Sequence, residues 1–185
     1  MPGPDRVVTP LEGRPSPPWD PHAPVPAPLR LLRCTVEPSW VDYNRHMSES
    51  CYLLVFGNGA DAFFRHVGID EAYRAGGHSL YTVETHLHHH REVAEGEPLT
   101  LSLRVLDHDA RRVHVLHEMH HGDSGALLAS AEQLLVHVDS AAGRSCAMPD
   151  DLQERLATIE AAHAHLPRPP LVGRPMRIDH SRETR

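Results

Sequence analysis

The sequence lacks the features of several protein classes. Cysteine is scarce, with three residues among 185, and Cys34, Cys51 and Cys146 are widely spaced. An odd, dispersed set fits reduced thiols better than a disulfide framework or a zinc motif. No run approaches the roughly 18 apolar residues of a membrane span, and residues 1–6 show neither the basic start nor the apolar run of a secretory signal. The sequence therefore predicts a cytoplasmic protein with no membrane partner.

Positive charge is also in short supply. Lysine and arginine total 18 against 25 acidic residues, which gives a formal charge of -7. We find no basic stripe with interleaved aromatic residues, so a nucleic-acid partner is not expected. Histidine, in contrast, is abundant at 17 residues. The net charge should therefore change sharply as the pH falls below neutrality.

Proline is concentrated at the two ends of the chain. Residues 1–28 contain ten of the 17 prolines and almost no apolar periodicity, which predicts a disordered, extended arm outside the core. Residues 167–185 contain four more prolines followed by charged residues, which predicts an irregular C-terminal tail. Residues 29–166 are then long enough for one domain with its own core.

Apolar residues recur at intervals of three and four over residues 53–67 and so share one helix face. They are Leu53, Phe56, Ala60, Phe63 or Phe64, and Val67. This spacing predicts a helix from about Ser48 to Val67, with Ser48 as its N-cap. Gly57 and Gly59 each cost the helix about 1 kcal/mol relative to alanine. We expect a sheet to approach these glycines closely, or else the helix to break at Gly57.

Strand-like segments lie on both sides of this helix. One precedes it, at residues 31–37, and four follow a Gly76-Gly77 break, at 78–91, 97–107, 112–121 and 126–138. The short turns between them imply an antiparallel meander. A last helix is predicted over about 150–165. The layout is α+β, with an antiparallel five-stranded sheet wrapped around a long central helix and a C-terminal helix closing the domain.

The loop at residues 40–47 sets an acid, an amide and an imidazole just before the central helix. Asp42, Asn44 and His46 supply these groups, and the free N–H groups and positive dipole end of a helix start suit a developing oxyanion. The alternative is that Asp42 and Asn44 are only turn formers and caps. His46 either orients Asp42 or the reacting group, or caps the loop through a backbone bond.

Histidines at alternate positions of one predicted strand share a face. His86, His88 and His90 lie there with Glu84 beside them, a geometry that a metal could use. Histidines on a solvent-facing or interfacial strand are the commoner explanation. We therefore assign no metal ligand.

The order of elements, with Asp42 before the helix, resembles the hot-dog fold thioesterases, in particular the 4-hydroxybenzoyl-CoA thioesterase group. The resemblance covers about residues 29–176. Four blocks occur in the same order and resemble, more narrowly, the betainyl-CoA thioesterases of carnitine breakdown; they are residues 40–47, 81–86, 96–99 and 131–139.

This resemblance implies roles for particular residues. Asp42 matches the catalytic carboxylate, acting as nucleophile on the thioester carbonyl or as base for a water. Backbone N–H groups of Ser48 and Glu49 would bind the oxyanion, and no metal or redox cofactor would be needed. A homodimer or homotetramer is implied, with active sites at the subunit boundary. Arg45 departs from the pattern, because a glycine is expected there.

The acyl group of betainyl-CoA carries a trimethylammonium, which cannot donate a hydrogen bond. Aromatic faces and a carboxylate usually bind such cations, each cation-π contact contributing ~0.5 to 2 kcal/mol. The residues placed for this role are Trp40, Tyr43, Tyr81 and Glu84. Alternatively, Trp40 and Tyr81 are core aromatics and Glu84 pairs with an arginine.

The sequence thus predicts a thioester hydrolase that acts on a short acyl-CoA, with betainyl-CoA as the expected substrate. Two other functions use the same residues. A hot-dog hydratase or dehydratase would transfer protons at the α and β carbons of the acyl group. A non-catalytic acyl-CoA or betaine sensor would keep the aromatic pocket but tolerate loss of Asp42.

Overall fold

The computed structural model describes residues 8–15 and 18–176. Its strands are β1 (Leu29–Thr35), β2 (His78–His89), β3 (Pro98–His108), β4 (Arg112–His121), β5 (Leu127–Asp139) and β6 (Arg144–Ser145), and its helices are α1 (Glu49–His66), α2 (Glu71–Ala75) and α3 (Asp150–His163). The predicted segments agree with these bounds to within two residues at each end. No helix in the described ranges is long and apolar enough to cross a membrane.

The sheet is antiparallel, with strand order β1-β3-β4-β5-β2 and the short β6 paired to β5. It curls around α1, which packs against β1, β3 and β4. The core is formed where the apolar face of α1 meets alternate residues of these strands. The predicted hot-dog architecture is confirmed, with β6 as an additional sixth strand.

The long helix α1 is placed by its apolar side chains. Phe56 and Phe63 are fully buried, whereas Leu53, expected on the same face, is 47% exposed. A Cβ atom at Gly59 would lie 2.8 Å from Leu101 Cδ2, while one at Gly57 would meet open space. The expected close approach of the sheet is therefore confirmed at Gly59 and wrong at Gly57, and the helix does not break.

The described part of the proline-rich arm contacts the domain. Thr9 Oγ1 donates a hydrogen bond of 2.7 Å to Asp61 on α1, and Trp19 and Val25 pack against the core. The expectation that residues 1–28 stay outside the core is therefore wrong for these positions. Residues 1–7 and 16–17 of that arm lie outside the described residues.

A buried ion-pair network anchors the arm to α1. Arg65 is 5% exposed and binds Asp61 at 3.0 Å as well as Glu71. Its guanidinium also donates to the carbonyl of Arg14 at 3.2 Å. Hydrogen bonding from Arg65 and from the N–H of Gly13 lowers the pKa of Glu71 to about 2. The arm thus supplies an acceptor for the buried Arg65 and a donor for its partner Glu71.

The described part of the C-terminal tail crosses the outer face of the sheet. The N–H of Gly173 donates to both carboxylate oxygens of Glu132, at 3.0 and 2.9 Å. Arg104 Nη1 donates to the carbonyl of Pro167 at 2.7 Å. Residues 167–176 are irregular but tied to the sheet, and residues 177–185 lie outside the described range. The division into arm, domain and tail stays a prediction.

Candidate active site

The loop before α1 is a tight, hydrogen-bonded turn. Asp42 Oδ1 accepts from the N–H of Asn44 at 2.8 Å, and the carbonyl of Asp42 accepts from the N–H of Arg45 at 2.9 Å. The N–H of Asp42 donates to the carbonyl of His46 at 3.1 Å, which closes the turn. Asp42 and Asn44 are therefore turn formers, as the alternative required. This leaves Asp42 Oδ2 without a hydrogen-bond partner in the described part of the chain, and the catalytic role of Asp42 stays a prediction.

Arg45 occupies a backbone conformation that favours glycine, with φ at 66°. We expect Arg45→Gly to raise the free energy of unfolding by up to about 1 kcal/mol, because the left-handed penalty of an L side chain is removed. Arg45→Val should lower it by about 1 to 2 kcal/mol, since β-branched residues fit this region worst. Urea unfolding of both variants checks the prediction, and changes of the same sign would contradict it.

The loop forms one wall of a cavity of about 370 Å³. Its other walls are the first turns of α1 and the chain that follows β2. The lining residues are Asp42, Asn44, His46, Met47, Glu49, Tyr52, His89, His90, Arg91 and Glu92. The structure therefore brings together the three predicted catalytic side chains and the start of the helix.

The His46 imidazole pairs with Glu92 and not with Asp42. Its Nδ1 lies 3.4 Å from Glu92, and its backbone forms a bridge with Ala94. Among the described residues no hydrogen bond joins the His46 imidazole to Asp42. His46 thus ties the loop to the segment after β2, and its predicted catalytic role stays a prediction.

The backbone donors at the helix start differ from those expected. The N–H of Ser48 donates to the carbonyl of Trp40 at 2.8 Å, so it is engaged and not available to an oxyanion. Ser48 occupies the N-cap position, but its side chain makes no capping hydrogen bond. The N–H groups of Glu49 and Ser50 have no acceptor within the described ranges, because helix starts leave such groups unpaired. The unpaired donors at the helix start are therefore the N–H groups of Glu49 and Ser50, one residue later than the predicted pair, and an oxyanion-binding role stays a prediction.

Within a single copy of the chain, the four residues expected to bind a cation do not lie together. Trp40 packs against the core, as the alternative interpretation stated, and Tyr43 is 93% exposed. Tyr81 is 52% exposed, with its hydroxyl 3.4 Å from Ser140. Glu84 pairs with His86 at 2.9 Å rather than with an arginine. Neither Tyr81 nor Glu84 lines the Asp42 cavity.

Sequence reasoning missed Tyr52 and His89, which pack edge-to-face in this cavity with ring centroids 4.8 Å apart. The Tyr52 hydroxyl donates to the carbonyl of Arg91 at 3.4 Å. Burial, with a smaller contribution from Glu92, raises the pKa of Tyr52. One signal was available, since Tyr52 lies four residues after Ser48 and so one helical turn from the loop.

Histidines in and next to the strands contact polar side chains of β5. His114 Nε2 lies 2.7 Å from Glu132, and His90 Nε2 lies 3.0 Å from the Ser130 hydroxyl. Burial lowers the pKa of His90, with the neighbouring His88 adding to this effect. In residues 8–15 and 18–176 no group of three histidine, cysteine, aspartate or glutamate side chains has the arrangement of a metal site.

Relatives of this chain carry thioesterase names. The chain is 43% identical over 147 residues to an L-carnitine dehydrogenase/betainyl-CoA thioesterase from Rhizobium meliloti (strain 1021), which covers 80% of this chain and 30% of that protein. It is 41% identical over 147 residues to a betainyl-CoA thioesterase from Pseudomonas aeruginosa, covering 79% of this chain and 92% of that one. The chain thus spans about 30% of the length of the first relative and nearly all of the second.

The fold has solved counterparts. A Staphylococcus aureus protein crystallised in complex with CoA superposes with a TM-score of 0.77 at 22% identity, over 85% of this chain and 100% of that one. Residues 36–156 match the thioesterase-like superfamily. Together with the 41% identity to a relative of which this chain covers 92%, this match shows that the chain belongs to the thioesterase-like superfamily.

Proposed function

We propose that this protein hydrolyses a short acyl-CoA thioester, and that betainyl-CoA, split to betaine and CoA, is its substrate. One observation carries the proposal: Asp42, whose Oδ2 has no hydrogen-bond partner among the described residues, lines the same cavity as the start of α1, where the N–H groups of Glu49 and Ser50 have no acceptor in that part of the chain. A carbonyl held there would have a nucleophile or base on one side and two donors for its oxygen. The two named relatives supply the choice of acyl group.

The reaction follows from this arrangement by either of two routes. Asp42 attacks the thioester carbonyl, CoA leaves as a thiolate, and water hydrolyses the resulting anhydride. Alternatively, Asp42 takes a proton from a water that attacks directly. In both routes the Glu49 and Ser50 N–H groups stabilise the oxyanion, and the products are a carboxylate and CoA. The chemistry uses only groups of this chain and water.

We further propose that the functional unit contains at least two copies joined through β2. This twelve-residue strand is an edge of the sheet, and Tyr81 and Val83 expose 52% and 58% of their surface there. Long exposed edge strands are templates for pairing. Tyr81 and His89 are eight positions apart, or about 26 Å along one strand. Antiparallel pairing of two β2 strands moves Tyr81 and Glu84 of one copy towards the Asp42 cavity of the other.

The predicted cation site can be tested with a neutral isostere of the substrate, 3,3-dimethylbutanoyl-CoA. Tyr81→Ala should lower kcat/KM for betainyl-CoA about 10-fold, since one cation-π contact is lost, and should change kcat/KM for the isostere less than about 2-fold. Glu84→Gln should act in the same direction. Equal losses on both substrates would make these residues structural.

Mixing subunits separates a shared site from one within a single chain. Asp42→Asn and Tyr81→Ala subunits are mixed at equal concentrations and allowed to exchange. If the site spans the interface, each mixed dimer has one intact site, made by Asp42 of one subunit and Tyr81 of the other. If the site lies within a single chain, the mixed dimer has none. Activity towards betainyl-CoA at low concentration should then rise to roughly a quarter of the wild-type value by statistical assortment. No rise, in a sample whose subunit exchange is demonstrated, would contradict the shared site.

The first experiment is release of free thiol from betainyl-CoA and acetyl-CoA, measured side by side. Hydrolysis of betainyl-CoA alone supports the full proposal, and hydrolysis of both supports the thioesterase without the cation site. Release from neither would favour a hydratase or a sensor. Since the betaine acyl group has no β carbon, a hydratase would need a different substrate.

We place this reaction in the cytoplasm. All three cysteines are free thiols, and Cys34 and Cys51 pack partly against the core. Free thiols are usual in the reducing cytoplasm, where CoA thioesters are also found.

A further inference from the structure

A second polar cavity lies on the outer face of the sheet. Its volume is about 410 Å³, within the ~300–1,000 Å³ typical of small-molecule sites. It is bounded by β1, β3, β4, the turn between β4 and β5, and the start of the C-terminal tail. The residues that give it its character are Arg30, Arg33, Thr100, Ser102, Arg104 and His120. None of them lines the Asp42 cavity.

A bulge in β1 turns two arginines into this cavity. Positions 30 and 33 of a regular strand would face opposite sides of the sheet. Between Leu29 and Leu32, however, β1 advances three residues while β3 advances two. A bulge of this kind re-aims the side chains that follow it. Arg30 and Arg33 therefore both line the cavity, at an edge strand that is open to solvent.

The cavity has positive charge that the protein does not neutralise. Arg104 is paired, with Nη2 3.0 Å from Glu118, but its Nε is buried and has no partner within the described residues. Arg30 and Arg33 make no ion pair or hydrogen bond in that same part of the chain. Two unpaired arginines at one point are unusual in a chain with a formal charge of -7.

The arrangement of side chains in this cavity also suits an oxyanion. Arg33 is in register with Thr100, and Thr100 with His120, so a guanidinium, a hydroxyl and an imidazole form one row across three strands. The Ser102 hydroxyl lies on the same face, two residues from Thr100. Guanidinium groups bind phosphate in a two-pronged geometry, and hydroxyls complete its hydrogen bonding.

We propose that this cavity binds the phosphate groups of CoA, so that it holds the nucleotide half of the molecule whose thioester lies at Asp42. The inference rests on the proposed function. Both cavities border the same end of the sheet: the N–H of His90 donates to Leu128 at 2.8 Å beside one, and the N–H of Gly122 to Pro98 at 2.7 Å beside the other. Arg112, another candidate, is instead occupied by Asp109.

The test compares a CoA thioester with the matching pantetheine thioester, which has no phosphates. In Arg30→Gln/Arg33→Gln, KM for the CoA thioester should rise at least about 10-fold, because two charged hydrogen-bonding groups are lost, while kcat and the KM for the pantetheine thioester stay unchanged. Arg111→Gln/Arg144→Gln removes the same charge from exposed positions elsewhere and should change neither KM. Equal rises for both thioesters, or no rise, would overturn the proposal.

Calorimetry on the resting protein tests the cavity without turnover, so that failure of hydrolysis and failure of this inference remain distinguishable. Adenosine 3′,5′-bisphosphate should bind the wild type about 10-fold more tightly than the double glutamine variant, with affinity that falls as salt is raised. Loss of inorganic phosphate binding alone, with nucleotide binding unaltered, would identify free phosphate as the ligand and overturn the assignment to CoA.

Discussion

Asp42→Asn should lower kcat for betainyl-CoA by at least about 10³-fold, equivalent to about 4 kcal/mol of transition-state stabilisation. The substitution removes the charge and the nucleophilicity at nearly constant shape. An asparagine Oδ1 still accepts the hydrogen bond that the N–H of Asn44 donates in the wild type, so the turn should persist. KM should stay within a few-fold, because binding depends on other groups. Thiol release under single-turnover and steady-state conditions measures both quantities.

The matched control for this substitution is Glu95→Gln. It removes one carboxylate from an exposed position in the loop after β2, outside the lining of the Asp42 cavity. Its kcat should remain within about 2-fold of the wild type, since surface changes of this kind rarely matter. Normal turnover by Asp42→Asn would end the assignment of Asp42 as nucleophile or base.

The sequence was sufficient for the main elements because their signals are local. Apolar spacing defined α1, and turn residues separated the strands, so the bounds agree to within two residues. The five-residue helix α2 was missed because it depends on one Asp70 cap, whose carboxylate accepts from the N–H of Tyr73, and is too short for periodicity. The arm was misjudged because its contacts require a buried Arg65, and partners distant in sequence leave no local pattern.

The candidate site was predictable only in part, for the same physical reason. Asp42 and Asn44 lie in one turn, and their proximity follows from the chain itself. Tyr52 and His89 are far apart in the sequence and come into contact only when β2 takes its place in the sheet. The spacing of residues in the sequence does not reveal this contact. The N–H of Ser48 donates to the carbonyl of Trp40 because of the way the turn closes, and the sequence does not show this closure. The basic cavity depends on a one-residue bulge in β1. Regular alternation along the strand would instead have placed Arg30 and Arg33 on opposite faces of the sheet.

The second large effect is a loss of stability at mildly acidic pH, caused by His117. This side chain is 1% exposed and packs edge-on against Phe56 with ring centroids 5.9 Å apart. Its Nε2 has no hydrogen-bond partner in the described part of the chain. Burial lowers the pKa of His117 to about 4, and hydrogen bonding with Gln133 offsets only part of this.

A lowered histidine pKa makes acid destabilising. Between the unfolded value of 6.5 and the folded value of about 4, the unfolded chain binds a proton that the native state does not, so stability falls as the pH drops through this window. From pH 7 to pH 5 the loss from His117 alone should be about 2 kcal/mol. Below about pH 4 the folded state binds the proton too, and this contribution levels off.

Urea unfolding of the wild type and His117→Leu, each at pH 7 and pH 5, measures this contribution. Leucine fills a similar volume and cannot titrate, so the stability of the variant relative to the wild type should increase by about 2 kcal/mol on acidification. The remaining pH dependence, shared by both proteins, comes from the other histidines whose pKa is lowered by burial, His66, His90, His137 and His163. His120 lies on the outer face of the same strand. The stability of His120→Gln relative to the wild type should therefore be the same at pH 7 and pH 5. Parallel pH curves for the wild type and His117→Leu would mean that water or a proton reaches the space between α1 and β4, which the packing of Phe56 and Gly59 there argues against.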